Sequence, residues 1–329
     1  MKLRFWIGVA VSAALLWYSM GNVDFLEAWR AAQQMNTLLL APYLVLILGE
    51  VVLRAWRWQM LLAPIKHCSI SSLTTSMIIG LMANNVLPAR AGEFLRAWVG
   101  GRMEHIPYST CLATVVIDRV FDGLTASAIF LAVVLAYPLP EIAKVSGYAA
   151  GVLYLATLAG LVGLITKRDA TLRLVATLMR ALPHRFTDPA QLWLGSFASG
   201  LGVFRDARLL TGALTLSFVI WFGYGVSLYL IWLAFDIRLA PADAFVVLMM
   251  LTIGLTLPST PGFVGAMEAA VVTGLLFFGI DKSVAFAVAI VYHVTQYVPI
   301  TLWGLLALWT TKIGFGQITQ PIREDEPLA

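Results

Sequence analysis

The sequence predicts an all-α polytopic membrane protein built as an inverted-topology repeat, with about six full spans and two re-entrant helical hairpins. Three observations carry this. Of 329 residues, 60% are hydrophobic and only 12% charged, whereas soluble domains hold about a quarter charged residues. Six apolar segments are long enough to cross a bilayer. Two further apolar stretches are broken, and they carry matching punctuation 170 residues apart.

A crossing needs about 20 mostly apolar residues at 1.5 Å rise each. Segments 4–22, 37–58, 108–136, 147–166, 209–235 and 284–311 meet that length. The opening, "MKLRFWIGVAVSAALLWYSMGN", has two positive charges and then an apolar run, as a signal peptide does. No persuasive small-x-small cleavage site follows, so it reads as a retained first helix. The broken stretches are 69–101 and 242–279, holding "NNVLPARAGE" and "LPSTPGFVGAME". The arm after Gly92 runs to Gly101, roughly 15 Å of helix, too short to cross. The later arm of the second stretch, Val264–Gly279, reaches about 24 Å and nearly spans.

Shifted by 170 residues, Leu87-Pro88 falls on Leu257-Pro258 and Gly92 on Gly262. Each half then reads span, span, broken stretch, span. Three crossings per half is an odd number, so the second half starts from the opposite face, an arrangement common in secondary transporters. The expectation is one membrane domain: a first repeat over 1–140, a second over 141–312 and a polar tail over 313–329. Lys and Arg are divided fifteen to four between the two sets of loops, which places both termini in the cytoplasm. Segment 167–208, with "LRLVATLMRALPHRF", suits an amphipathic helix on the cytoplasmic leaflet or a solvated connection.

Several function classes find no support. No P-loop, GxSxG elbow, GxGxxG or HExxH occurs, and the histidines are scattered. Cys68 and Cys111 lack metal spacing and read as free thiols. No metal, cofactor or nucleic-acid partner is expected.

The charged residues near the breaks carry the chemistry. Pro88 removes a backbone donor and Gly92 permits a tight turn, so 86–92 reads as a hairpin tip. The half-helix after it presents unpaired N–H groups and a positive dipole end. Arg90 in the turn and Arg96 one to two turns on suit an anionic group such as phosphate. Glu93 fits a helix-start acid, a partner of Arg96 at i+3, or a site residue. In "VVIDRVFDG", Arg119 and Asp122 share a face and neutralise one another or face a cavity beside Asp118. At the second break, Pro261, Gly262 and Gly265 loosen the backbone. Glu268 follows with no charged partner near in sequence, a candidate for a proton, a cation or a cationic headgroup. Glu50, Arg54 and Arg57 read as a local i,i+4 pair with interfacial anchoring by Trp56 and Trp58.

"NNVLPARAGEFLRA", "IDRVFDG" and "LPSTPGFVGAMEA" resemble the signatures of the lysylphosphatidylglycerol synthase transmembrane-region family, a flippase-like membrane domain, over roughly residues 5–312. The resemblance implies movement of a lipid between leaflets. It also implies that Asn85, Pro88, Arg90, Gly92, Glu93 and Arg96 form the first motif. Arg119 and Asp122 match the mid-span pair, and Pro261, Gly262, Gly265 and Glu268 the second motif. The aminoacyl transferase domain of the best-known members is missing here, so aminoacyl-lipid synthesis is not implied.

The expected function is therefore lipid transport, not enzymatic: an anionic phospho- or polyprenyl-phosphate-type lipid crosses through a central cavity between the repeats of a bacterial cytoplasmic membrane protein. Proton or cation coupling is the expected accessory. The alternatives are a membrane-embedded transferase on a lipid-linked sugar, with Glu93, Asp118 or Asp122 as base, and a non-catalytic envelope-complex subunit.

Overall fold

The computed structural model describes residues 2–87, 91–139, 141–166, 206–256 and 260–311. Pro88, Arg90, the amphipathic segment from 167 to 205 and the tail from 312 lie outside them. The described residues form helices and turns, with no strand.

In chain order the helices are α1 (Lys2–Met20), α2 (Phe25–Gln34), α3 (Leu40–Leu62), α4 (Ile70–Val86), α5 (Gly92–Glu104), α6 (Tyr108–Ala136) and α7 (Glu141–Thr166). After the undescribed segment come α8 (Ala207–Ala234), α9 (Asp243–Gly254), α10 (Ala266–Phe277) and α11 (Lys282–Thr310). Acidic or amide caps start several of them. Asp24, Asp206 and Asp281 each accept from two backbone N–H groups at the head of α2, α8 and α11. Asn36 accepts from one, that of Leu38, in the short turn leading into α3.

Among the described residues four helices are long and apolar enough to cross a membrane: α3 with its lead-in (Thr37–Leu62), α6, α8 and α11. The expected first span, 4–22, coincides with the continuous helix α1, and α2 turns off its end at 81°. The expected fourth, 147–166, is helical over its whole length as the later part of α7. Large apolar side chains such as Val45, Leu135, Phe222 and Leu306 face outward. That is costly in water and neutral in hydrocarbon.

Both broken stretches are helix–break–helix hairpins, α4 with α5 and α9 with α10, and in each the two arms pack together. The arms α5, α9 and α10 have 13, 12 and 12 residues. At about 18–20 Å they fall short of a ~30 Å hydrocarbon core. The second hairpin's later arm is thus shorter than its apolar sequence suggests, because Gly265 delays its start and Phe278 ends it.

Two apolar cores show how the halves are arranged. One surrounds the first hairpin and includes Leu61 and Leu62 late in α3, Leu112 early in α6, Ala213 early in α8 and Leu308 late in α11. The other surrounds the second hairpin and takes the opposite ends: Tyr43, Val133, Ile231 and Val288. The hairpins therefore sit at opposite ends of the four-helix frame. α3 and its repeat mate α8 run in opposite directions, as do α6 and α11, which is the geometry of an inverted repeat. The helix pairs that pack together agree. α3–α4, α4–α5, α5–α6, α4–α11 and α3–α6 recur as α8–α9, α9–α10, α10–α11, α9–α6 and α8–α11, while α3 packs on α8 between them.

α7 lies outside this frame, against α6 and α9. Its seam with α6 is reciprocal: the Tyr154 ring of α7 fills the space a Cβ would need at Gly123 of α6, and the Phe130 ring of α6 does the same at Gly147 of α7.

Candidate functional site

Between the hairpins lies a cavity of about 630 Å³. Both tips reach it: Asn84, Asn85 and Glu93 from the first, Gly262, Phe263 and Met267 from the second. The long helices meet it near their midpoints, through Glu50 of α3, Asp122 of α6, Tyr224 of α8 and Gln296 of α11. The tips also touch one another. A Cβ on Gly262 would stand 3.3 Å from the Asn85 carbonyl, and the Asn85 amide donates to Thr301 of α11 at 3.0 Å.

The tip residues explain the local folding. Asn84 Oδ1 accepts from the Gly92 N–H at 2.8 Å and so satisfies the first donor of α5. Gly92 is needed for approach rather than for a turn, since a Cβ there would collide with the Gly80 carbonyl of the opposing arm. Gly265 has φ of 84°, a conformation glycine adopts without the Cβ penalty. Its N–H donates to Glu268 Oε2 at 2.7 Å, closing the head of α10.

Glu268 has a partner that its sequence neighbourhood does not show: His293 of α11, with Nδ1 2.6 Å from Oε1. The other ring nitrogen, Nε2, lies 2.8 Å from the Gly262 carbonyl, an acceptor, so Nε2 carries a proton. One further proton is shared between Nδ1 and Oε1, and the pair is neutral overall wherever that proton rests.

On the side of the first hairpin is a buried ionic cluster. Asp118 lies between two guanidiniums, its Oδ1 2.8 Å from Arg57 Nε and its Oδ2 2.8 Å from Arg96 Nη1. Arg57 Nη1 also donates to Asp122 at 2.6 Å and to the Ser217 hydroxyl at 2.8 Å. Arg119 Nη1 is 3.1 Å from Asp122 Oδ2, and its Nε is 3.6 Å from Glu93 Oε1. Three guanidiniums meet three carboxylates, the balance that burying ionised groups requires.

The cluster sorts the expected site residues. Asn85, Glu93, Arg119 and Asp122 line the cavity. Arg96 does not. It is 2% exposed, stacks 4.2 Å over the Trp58 ring and pairs with Asp118 instead of Glu93. It therefore stands behind the wall and is not presented to a headgroup. Pro261, Gly262 and Gly265 build the second tip.

The largest correction concerns α3. Its charges were expected to form a local pair near the interface, but Arg57 and Trp58 are wholly buried, the Trp58 indole donating to Thr114 at 2.9 Å. Glu50 and Arg54 line the cavity and form no ion pair among the described residues. The Arg54 guanidinium lies 5.3 Å over the Tyr224 ring, with Nε buried and unpartnered. Glu50 is 4% exposed and its Oε1 has no hydrogen-bond partner. Residues 50, 54 and 57 fall at i, i+4 and i+7, one face of a helix. Charges confined to one face of an apolar span signal an interior-facing stripe. Among the described residues no group of three or more His, Cys, Asp or Glu side chains could hold a metal. Cys68 and Cys111 are both free and buried, and burial pushes the Cys68 thiol up to about 11.

A helical membrane frame with two half-length hairpins around a charged central cavity defines the class: a polytopic helical membrane protein. Comparison with known proteins places it further. Residues 5–304 match the family described as the lysylphosphatidylglycerol synthase TM region, and the chain belongs to that family. It is 24% identical over 289 residues to a UPF0104 membrane protein of Methanothermobacter thermautotrophicus, covering 84% of each chain. UPF0104 membrane protein MJ1078 of Methanocaldococcus jannaschii is 26% identical over 235 residues, 70% of this chain and 95% of that one. Glycosyltransferase AglD of Haloferax volcanii is 27% identical over 254 residues, 68% of this chain but only 41% of AglD.

Proposed function

We propose that the protein moves a lipid with an anionic headgroup between the leaflets of the cytoplasmic membrane, with both termini on the cytoplasmic side. One observation carries the reading: a headgroup-sized cavity at mid-depth, bounded by both hairpin tips, whose wall holds an unpaired guanidinium, that of Arg54. About 630 Å³ falls within the ~300–1,000 Å³ of small-molecule sites. Among the described residues no carboxylate lies within ion-pair distance of Arg54, and a guanidinium grips phosphate bidentately. Arg119 stands on the same wall but is already held by Asp122 and Glu93. The apolar part of the wall, with Phe130, Leu248 and Met249, suits the acyl end of the headgroup region. The loop charges still favour this orientation after Arg54 and Arg57 are removed from the count, thirteen against four.

The test is leaflet exchange of a fluorescent phosphatidylglycerol in proteoliposomes, read by dithionite quenching. The wild type is expected to accelerate exchange over protein-free vesicles. Arg54→Gln is expected to slow it by about tenfold or more, the worth of one charged hydrogen bond, with thermal stability unchanged. Exchange no faster than in empty vesicles overturns the reading.

The similarity to AglD favours a second reading, a transferase acting on a lipid-linked sugar. Product formation by purified protein from a lipid-linked donor would establish it.

A further inference from the structure

We infer that Glu50 is a proton-binding site that competes with the lipid phosphate for Arg54, so that proton and anionic lipid bind together. The inference rests on the transport reading and adds its coupling. The other carboxylates on the described cavity wall, Glu93 and Asp122, are both held by Arg119. Among the described residues no cation stands within ion-pair distance of Glu50. Its place is nonetheless built: Gly223 of α8 leaves room for it, since a Cβ there would stand 2.8 Å from Glu50 Oε1.

The groups around Glu50 are Arg54 and Tyr43 on its own helix, Tyr224 on α8 and Tyr292 on α11. Asn84 and Asn85 of α4 face the same cavity, as do Arg119 and Asp122 of α6 and His293 of α11. A lone carboxylate buried there is costly. Two states avoid the cost. Glu50 holds a proton and Arg54 stays available to phosphate. Alternatively Glu50 is ionised and draws in Arg54, one turn away at i+4, within reach of a helical ion pair. The second state removes the guanidinium that the phosphate needs.

The step balances simply: one proton from the water that reaches the cavity converts the Glu50 carboxylate to the acid, and no other bond changes. Linkage then requires reciprocity, so that lipid binding favours proton uptake as much as the proton favours lipid. A monoanionic lipid would cross as an electroneutral pair with its proton.

The experiment is binding of dihexanoyl phosphatidylglycerol to detergent-solubilised protein across pH, by calorimetry. The phosphodiester of this lipid keeps its charge throughout. Wild-type affinity is expected to fall about tenfold per pH unit on the alkaline limb, the slope of one linked proton. Glu50→Gln should bind with a flat profile, and His293→Gln should keep the slope. A flat wild type, a slope surviving in Glu50→Gln, or a slope abolished by His293→Gln overturns the inference while leaving anionic-lipid binding intact. No wild-type binding at any pH overturns both. Proton uptake by the wild type, followed with a pH dye as this lipid is added, decides the matter if Glu50→Gln fails to fold. One proton per lipid supports the inference and none overturns it.

Discussion

Around the first hairpin six ionised side chains from α3, α5 and α6 neutralise one another, whereas around the second one carboxylate and one imidazole suffice. The skeletons are alike: two short arms, a break, and packing against the far ends of the same four helices. The means of closure differ. The first hairpin is anchored by ion pairs between side chains of three helices, and the second by the Glu268 and His293 side chains meeting tip backbone groups, the Gly265 N–H and the Gly262 carbonyl. One repeat supplies the cavity with charge and the other supplies it with shape. An inverted duplication can keep its geometry while its two copies divide the chemistry.

The comparison can be broken at its strongest point first. Arg57→Ala strands Asp118 and Asp122 without their shared guanidinium, and removing one partner of a buried pair costs about 3–5 kcal/mol. Thermal unfolding in detergent should show a large loss or failure to accumulate folded protein. A small shift would mean that the cluster is not the anchor of the first hairpin. His293→Ala removes the partner of the Gly262 carbonyl and of one Glu268 oxygen, but leaves the Gly265 N–H in place. Leaving such a buried group unsatisfied costs about 1–3 kcal/mol, so the expected loss is smaller in the same assay. Equal losses for the two variants would erase the asymmetry.

The least effect is expected outside the membrane, at the cap of α11. Burial opposes ionisation of Asp281, but the N–H groups of Ser283 and Val284 outweigh it and hold the carboxyl below its usual range. The stability it contributes is present at neutral pH and is lost as pH falls through that lowered value. Asp281→Ala should cost about 1 kcal/mol at neutral pH and progressively less in acid. A loss independent of pH would show that the cap acts through packing instead.

Much of the frame was legible because hydropathy and length act along the chain. α3, α6, α8 and α11 lie where the apolar runs lie, and both breaks fall at Gly and Pro clusters. The bend between α1 and α2 was less legible, since a polar turn after an apolar helix does not specify its angle. Of the residues singled out in the sequence, Asn85 and Glu93 beside the first break and Arg119 and Asp122 in mid-span line the cavity. The pairing was not found, because it joins positions far apart in sequence. Arg57 meets Asp118, and Glu268 meets His293 on another helix. Local spacing suggested Glu50 with Arg54 and Glu93 with Arg96. In the folded chain Asp118 claims Arg96 and Arg119 claims Glu93, because bundle packing brings α6 between them.

The seam between α6 and α7 has a consequence of its own. Its two aromatic rings sit in gaps left by glycines, and both helices face hydrocarbon elsewhere. In lipid such a joint gains nothing from displacing solvent, because an acyl tail is as apolar as Phe130. Adhesion there is counted in dispersion contacts between matched shapes. A lipid tail competes with α7 for the surface of α6 on nearly even terms, with fit as the only advantage the protein holds.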